Sequence, residues 1–268
     1  MGRCLIVGVL NCTPDSFSDG GKLSSPKEAI ELGVRMAGEG ADWIDVGGES
    51  TRPGAKTVGG DEERARVIPV IQGLKARLRA DVLISIDTYK AETARAALAA
   101  RARVVNDISG ALLDPPILKV AAAAGAKLVV GHLRGRPSTM MEDVSFEDVV
   151  REVGDELGTQ LAAARGAGCG EVWADPGIGF GKVLEHNLAL LQGLPALRAR
   201  LGVPIMVGVS RKSFIGQLTG KPAGERIYGT AAAVTAAVFL GASAVRVHDV
   251  AAMRDVVRVA EALAQAEP

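Results

Sequence analysis

Cysteine is scarce in this chain. The 268 residues hold three, Cys4, Cys12 and Cys169, far apart and with no CxxC pair. That spacing excludes a disulfide framework and a cysteine zinc site, and it fits a reducing compartment. Net charge is missing as well: 31 Lys+Arg stand against 31 Asp+Glu, a formal balance of zero. No global positive field exists to hold nucleic acid or an anionic membrane, although local positive sites remain open. Long apolar runs are also absent, although 48% of the residues are hydrophobic. The N-terminal run "CLIVGVL" (4–10) is too short for a signal peptide. The Ala-rich "GTAAAVTAAVFLGA" (229–242) falls short of a membrane span and reads as a buried helix. The expectation is a soluble cytoplasmic protein with neither nucleic-acid nor membrane partners.

What the chain has instead is alternation. Short β-branched runs recur at 5–10, 42–46, 82–86, 103–105, 127–130, 171–174, 204–207 and 244–247. Several are apolar on consecutive residues, as suits parallel strands buried on both faces. Helix patterns lie between them. Ser25-Pro26-Lys27-Glu28 is a capping box with proline at the first helical position, followed by Ile30, Val34 and Ala37 on one face. Asp61 is expected to cap the next helix, with Val67, Ile71, Leu74 and Leu78 inward and Pro69 kinking or splitting it. Ser145 is expected to open another, with Val149, Val153, Leu157 and Leu161 buried, and a last helix spans about 251–264. Eight strands alternating with helices predict a (β/α)8 barrel; an open doubly wound sheet is the competing architecture. No linker or shift in composition divides the chain, so 1–268 reads as one domain.

Barrel enzymes place their chemistry where strands end and βα loops begin. Here the strand ends carry Asn11, the loop "GGESTRPG" (47–54), Asp87, Asn106, "GHLRGRP" (131–137), Asp175, "GVSRKSFIG" (208–216), and Arg246 with His248. Any one of these has an ordinary reading: Asp107 and Asp249, for example, suit turns and helix caps. Together they suggest two subsites. Asp87, Asn106, Asp175 and Lys212 suit a flat heterocycle with amide and amino groups, because carboxylates accept paired N–H donors and Asn offers both polarities. Asn11, Arg246 and His248, with Thr51 and Arg52 nearby, suit phosphate oxygens, and the Asn11 carbonyl is a candidate Mg²⁺ ligand.

The blocks "GVLNCTPDSFSDGG", "GGESTRPG", "SIDTYKA", "VNDISG", "HLRGRPSTM", "DPGIGFGK", "GVSRKSFIG" and "RVHDV" together resemble the dihydropteroate synthase family, in its order and over nearly the whole chain. The resemblance implies a (β/α)8 barrel. It implies a transferase that joins p-aminobenzoate to 6-hydroxymethyl-7,8-dihydropterin diphosphate, releasing 7,8-dihydropteroate and diphosphate in folate synthesis. It also implies a cytoplasmic homodimer assisted by Mg²⁺. By resemblance Asp87, Asn106, Asp175, Lys212 and Phe180 hold the pterin. Asn11, Thr51, Arg246, Val247 and His248 bind the diphosphate, with Asn11 on the metal. Thr13, Pro14, Asp15, Ser16, Phe17, Ser18, Arg52, Pro53 and Ser213 form the p-aminobenzoate pocket, which is also the sulfonamide site, and its covering loops. Asp87, Lys212 and Arg246 are the expected catalytic residues.

Some positions depart from the family pattern. The sequence begins almost at the first strand, whereas many members carry a preceding β-hairpin, so the expectation is a more open barrel floor or one covered by another chain. Leu133 stands where a methionine is frequent, Ile178 where an aromatic is, and Cys12 where valine is. Competing readings are a corrinoid-type pterin methyltransferase barrel and a non-catalytic pterin-binding paralogue. The first gives no reason for the "SRKSF" and "RVH" blocks, and the second usually lacks an anion or loop residue that is present here. An aldolase-type barrel needs a lysine within or at the end of a strand, whereas Lys127 begins one and Lys212 lies in a loop.

Overall fold

The computed structural model describes residues 2–13, 25–51, 54–55 and 57–266. In chain order the elements are β1 (Leu5–Asn11), α1 (Pro26–Glu39), β2 (Trp43–Gly47), α2 (Gly60–Arg77), β3 (Leu83–Asp87) and α3 (Ala91–Ala99). Then come β4 (Val104–Asp107), α4 (Ile117–Ala123), β5 (Lys127–Gly131), α5 (Val149–Gly166), β6 (Val172–Asp175), α6 (Leu184–Gln192) and α7 (Leu194–Leu201). The last are β7 (Met206–Val207), α8 (Ser213–Thr219), α9 (Ile227–Phe239), β8 (Ala244–Val247) and α10 (Val250–Gln265).

The strands pair in the order β6-β5-β4-β3-β2-β1-β8-β7 and every pairing is parallel. A single parallel bridge, Ala174 to Ile205, joins the two ends of that order, with the Ala174 N–H donating to the Pro204 carbonyl at 3.0 Å. The eight strands therefore form a nearly closed barrel and not an open doubly wound sheet. All eight sequence-predicted runs are strands.

Side chains alternate between the two faces of each strand, and this sorts the barrel into layers. One set, including Leu10, Ile44, Val46, Ile86, Leu128 and Val245, is buried in the shell between strands and helices. The opposite set begins with Val7, Trp43, Val104, Val129, Trp173, Met206 and Ala244, which pack on one another as a separate apolar cluster. In it the Trp43 and Trp173 rings meet edge to face, 5.1 Å apart. Below this layer, beside the start of β1, a cavity of about 250 Å³ is lined by residues that include Arg3, Leu5 and Glu261. Two residues further along the same strands, on the same face, stand Asp45, Asn106, Asp175 and Arg246. The strand period thus turns an apolar floor into a polar rim within one step.

The helices correct several local expectations. Ser25 caps α1, accepting from the Glu28 N–H at 3.3 Å, with Pro26 in the first turn. Its buried stripe is Ala29, Gly33 and Met36; Ile30, Val34 and Ala37 are half-buried beside it. Gly59, not Asp61, caps α2, and Asp61 instead sits in the first turn. Pro69 lies inside α2 without splitting it; it is exposed, as is Ala65, whose carbonyl loses its helical donor, so water can satisfy that oxygen. Asp148, not Ser145, caps α5, accepting from the Arg151 N–H at 3.0 Å, while Val149, Val153, Leu157 and Leu161 are buried as expected. The Ala-rich helix α9 buries only Thr230, Val234, Ala237 and Val238, and leaves Tyr228 and Phe239 exposed. Among the described residues no helix is long and apolar enough to cross a membrane. All three cysteines are free and buried.

Candidate active site

The rim is knitted together by one guanidinium. Arg246 reaches from β8 across the barrel, donating through Nε to Asp45 Oδ2 and through Nη2 to Asp87 Oδ2, both at 2.6 Å. Asn106 donates from Nδ2 to the same Asp45 oxygen at 3.0 Å. That donation fixes which way the amide faces and leaves its carbonyl as a free acceptor polarity. The other Asp45 oxygen and the Ser85 hydroxyl are buried without a partner among the described residues. Burial pushes the Asp87 carboxyl up to about 7, with Asp45 adding to the rise and Arg246 opposing it. Arg246 itself is held firmly protonated by Asp45 and Asp87, against burial.

Asp175 closes the far side. Its Oδ1 accepts from the Gly177 N–H at 2.8 Å, and burial raises its carboxyl from the ordinary range. Lys212 stands 4.0 Å above the Phe180 ring, and burial lowers its ammonium to about 8. Beside it His248 Nδ1 lies 3.0 Å from Ser210 Oγ, which also accepts from the His248 N–H at 3.2 Å. A serine hydrogen placed on Nδ1 leaves Nε2–H as a donor. Burial and the nearby Arg246 lower this imidazole to about 3, so it is neutral at pH 7.

The remaining rim positions are placed less centrally. Asn11 ends β1; its Oδ1 lies 3.8 Å and Asp87 Oδ2 3.4 Å from the point where a side chain on Gly47 would begin, so both polar atoms border that strand end. Thr13 is buried, Thr51 half-buried, and Ser213 exposed in the first turn of α8. The Val247 side chain is buried in the outer shell, so only its backbone can face a ligand here. Pro14, Asp15, Ser16, Phe17, Ser18, Arg52 and Pro53 lie outside the described residues. Asp107 ends β4 and its carboxylate holds the turn that follows, accepting from the Ser109 and Ala111 N–H groups. Asp249 occupies the cap position of α10 but makes no cap bond; it pairs with Arg211 at 2.6 and 3.0 Å. Lys127 pairs with Glu171.

No group of three or more His, Cys, Asp or Glu side chains suited to a metal occurs among the described residues. A lone amide oxygen at Asn11 is a hard donor, and it fits Mg²⁺ sharing its shell with phosphate oxygens and water. It does not suit a metal caged by protein.

Residues 7–248 match the model of the pterin binding enzyme family. A dihydropteroate synthase of Synechocystis is 48% identical over 264 residues, 97% of this chain and 90% of that protein. The chain belongs to the dihydropteroate synthase family. A Yersinia pestis dihydropteroate synthase solved with a sulfonamide drug superposes with a TM-score of 0.93 at 38% identity, covering 98% of this chain and 95% of that one. A Xanthomonas albilineans dihydropteroate synthase in complex with 7,8-dihydropteroate gives 0.87 at 40% identity, covering 99% and 95%.

Within this dihydropteroate synthase fold two site residues escaped the sequence reading. Asp45 sits mid-strand in "DWIDV", and a carboxylate inside an apolar strand, two residues from each of Trp43 and Gly47, was the available signal. Ser210 lies in "GVSRK" but gives no sign in sequence that it holds His248.

Proposed function

We propose that this protein joins 6-hydroxymethyl-7,8-dihydropterin diphosphate to p-aminobenzoate, giving 7,8-dihydropteroate and diphosphate. The observation that carries the reading is the convergence of Asp45, Asp87, Asn106, Asp175, Lys212 and Arg246 on one rim, in a chain 48% identical to a dihydropteroate synthase along its length. In this reading Asn106, Asp175 and Lys212 hold the ring, the unpartnered Asp45 oxygen supplies one more acceptor, and Phe180 walls the subsite. Nη1 of Arg246, which no protein acceptor engages among the described residues, and Nε2–H of His248 face the diphosphate with Asn11, Thr51 and the Val247 backbone. Mg²⁺ held by Asn11 Oδ1 supplies further neutralisation of the diphosphate.

The chain's contribution is electrostatic. The exocyclic C–O bond breaks and its electron pair leaves with diphosphate, while positive charge spreads from the methylene into the pterin ring. Asp87, ionised and close to the ring, stabilises that charge. The aryl amine then forms the C–N bond and gives up one proton. No covalent enzyme intermediate is required. Thr13, Ser213 and the segments 14–18 and 52–53 are assigned to the p-aminobenzoate side, where the family takes sulfonamides. The enzyme is further proposed to be cytoplasmic, to act as one domain, and to pair as a homodimer.

The test is diphosphate release measured with and without p-aminobenzoate, then repeated with Mg²⁺ chelated. Release that depends on both p-aminobenzoate and Mg²⁺ is expected. A pterin bound without p-aminobenzoate-dependent release would favour a non-catalytic binder and overturn the reading.

A further inference from the structure

We propose that Lys182 is a positioning residue for the pterin subsite, acting through the Phe180 carbonyl and anchored by a buried Lys182–His132–Glu156 chain. Lys182 ends the loop after β6 and is 3% exposed. Its Nζ donates to the Phe180 carbonyl at 2.9 Å and lies 3.0 Å from His132 Nδ1. His132, 1% exposed, lies in turn 3.0 Å through Nε2 from Glu156 Oε2 on α5. An ionised carboxylate only accepts, so His132 Nε2–H donates to Glu156, and in the neutral ring Nδ1 is left to accept from Lys182 Nζ–H. A neutral imidazole thus connects a buried cation to a carboxylate whose side chain is 37% exposed. Burial is the main cause that lowers His132 to about 4, in keeping with the neutral form, and Lys182 to about 7.

A buried ammonium is costly unless it is paired, and an aliphatic side chain would fill this space at less cost. The loop does not need Nζ to close. Asn187 on α6 already ties it, accepting from the Gly179 N–H at 2.6 Å and donating to the Lys182 carbonyl at 3.1 Å. Nζ adds a fixed orientation of the Phe180 peptide. The Phe180 ring carries Lys212, and the site of a side chain on Gly179 lies 2.9 Å from Lys212 Cδ, so a rotated loop would displace that lysine. The "HLRGRPSTM" and "DPGIGFGK" blocks therefore meet at one purpose, with His132 from the first and Lys182 from the second.

This inference rests on the pterin reading of the site, and the experiment separates the two. Calorimetry with 6-hydroxymethylpterin, which lacks phosphates, is run on wild type, Lys182→Met, Phe180→Ala and the double variant. Lys182→Met is expected to weaken pterin about tenfold, to leave KM for p-aminobenzoate within twofold, and to have a clearly smaller effect in the Phe180→Ala background, where only the Gly179 contact with Lys212 remains. In long-range ¹H–¹⁵N spectra His132 should be the Nε2–H tautomer in wild type, and its Nδ1 resonance should shift in Lys182→Met, which removes the Nζ–H donor. Should Lys182→Met not fold, His132→Leu carries the same test, because it removes the acceptor that holds Nζ. Wild-type binding with a variant within twofold of it, or an equal loss in both backgrounds, overturns the inference alone. A wild type that binds no pterin overturns the functional reading and this inference with it.

Discussion

Arg246 shows what a single side chain does when two carboxylates share it. In the sequence it stands beside His248 and reads as an anion ligand; in the fold it also bridges Asp45 and Asp87, which join the diphosphate side to the pterin side. Two predictions follow from that bridge. Asp87 takes up a proton as pH falls through about 7, turning an acceptor for ring N–H groups into an O–H donor. Affinity for 6-hydroxymethylpterin should therefore be flat just above that pH and fall towards about tenfold per unit below it. Arg246 holds the Asp87 value down, so Arg246→Ala should move the break to higher pH and weaken plain pterin at pH 7 as well as the diphosphate ester. Calorimetry from pH 5.5 to 9 reads both; an affinity that ignores pH would remove Asp87 from the subsite. Asp87→Asn keeps the shape and loses the charge, so kcat should drop by about a hundredfold or more while KM for p-aminobenzoate stays within a fewfold. Equal losses in both would deny Asp87 its role on the developing cation.

Between residues and barrel lies the loop after β6, and here the backbone decides. Gly177 has φ +70, and a side chain added there would begin 2.0 Å from the His132 carbonyl oxygen, which is backbone and cannot swing away. Gly202, at the end of α7, has φ +61 but open space around it. Both substitutions to alanine meet the left-handed penalty of about 1–2 kcal/mol, but only the first must also move the β5–β6 rim. Chemical denaturation should find Gly202→Ala less stable by about that amount and Gly177→Ala by clearly more, with pterin affinity lost in the second alone. Comparable losses in the two would mean that the rim yields easily. The strands were legible in the sequence because apolar β-branched runs leave little alternative. The caps were less so: Gly59 and Asp148 won over Asp61 and Ser145, since a cap is chosen by where the chain enters the helix and not by side-chain type alone.

The whole molecule was legible where a pattern repeats and obscure where contacts are long-range. Alternation was enough for the barrel, and strand ends were enough to bring Asp87, Asn106, Asp175, Lys212 and Arg246 to one rim. Asp45 hid inside a strand, and the Lys182–His132–Glu156 chain joins three elements that no local spacing connects. The outer surface raises the last question, because the final two helices pack on each other and still leave apolar side chains in water. Tyr228 is 87% exposed on α9, and Val259 and Leu263, four apart on one stripe of α10, are 60% and 58% exposed. Burying such a stripe against a second copy would gain roughly 25 cal/mol per Å² of apolar area, which gives the proposed homodimer its driving force. Val259→Glu with Leu263→Glu puts like charges across a two-fold contact and should shift the chain from dimer to monomer in sedimentation. The barrel's thermal unfolding should change little, since neither side chain is in the core. A wild type that sediments as a monomer at assay concentration would remove this face from the account.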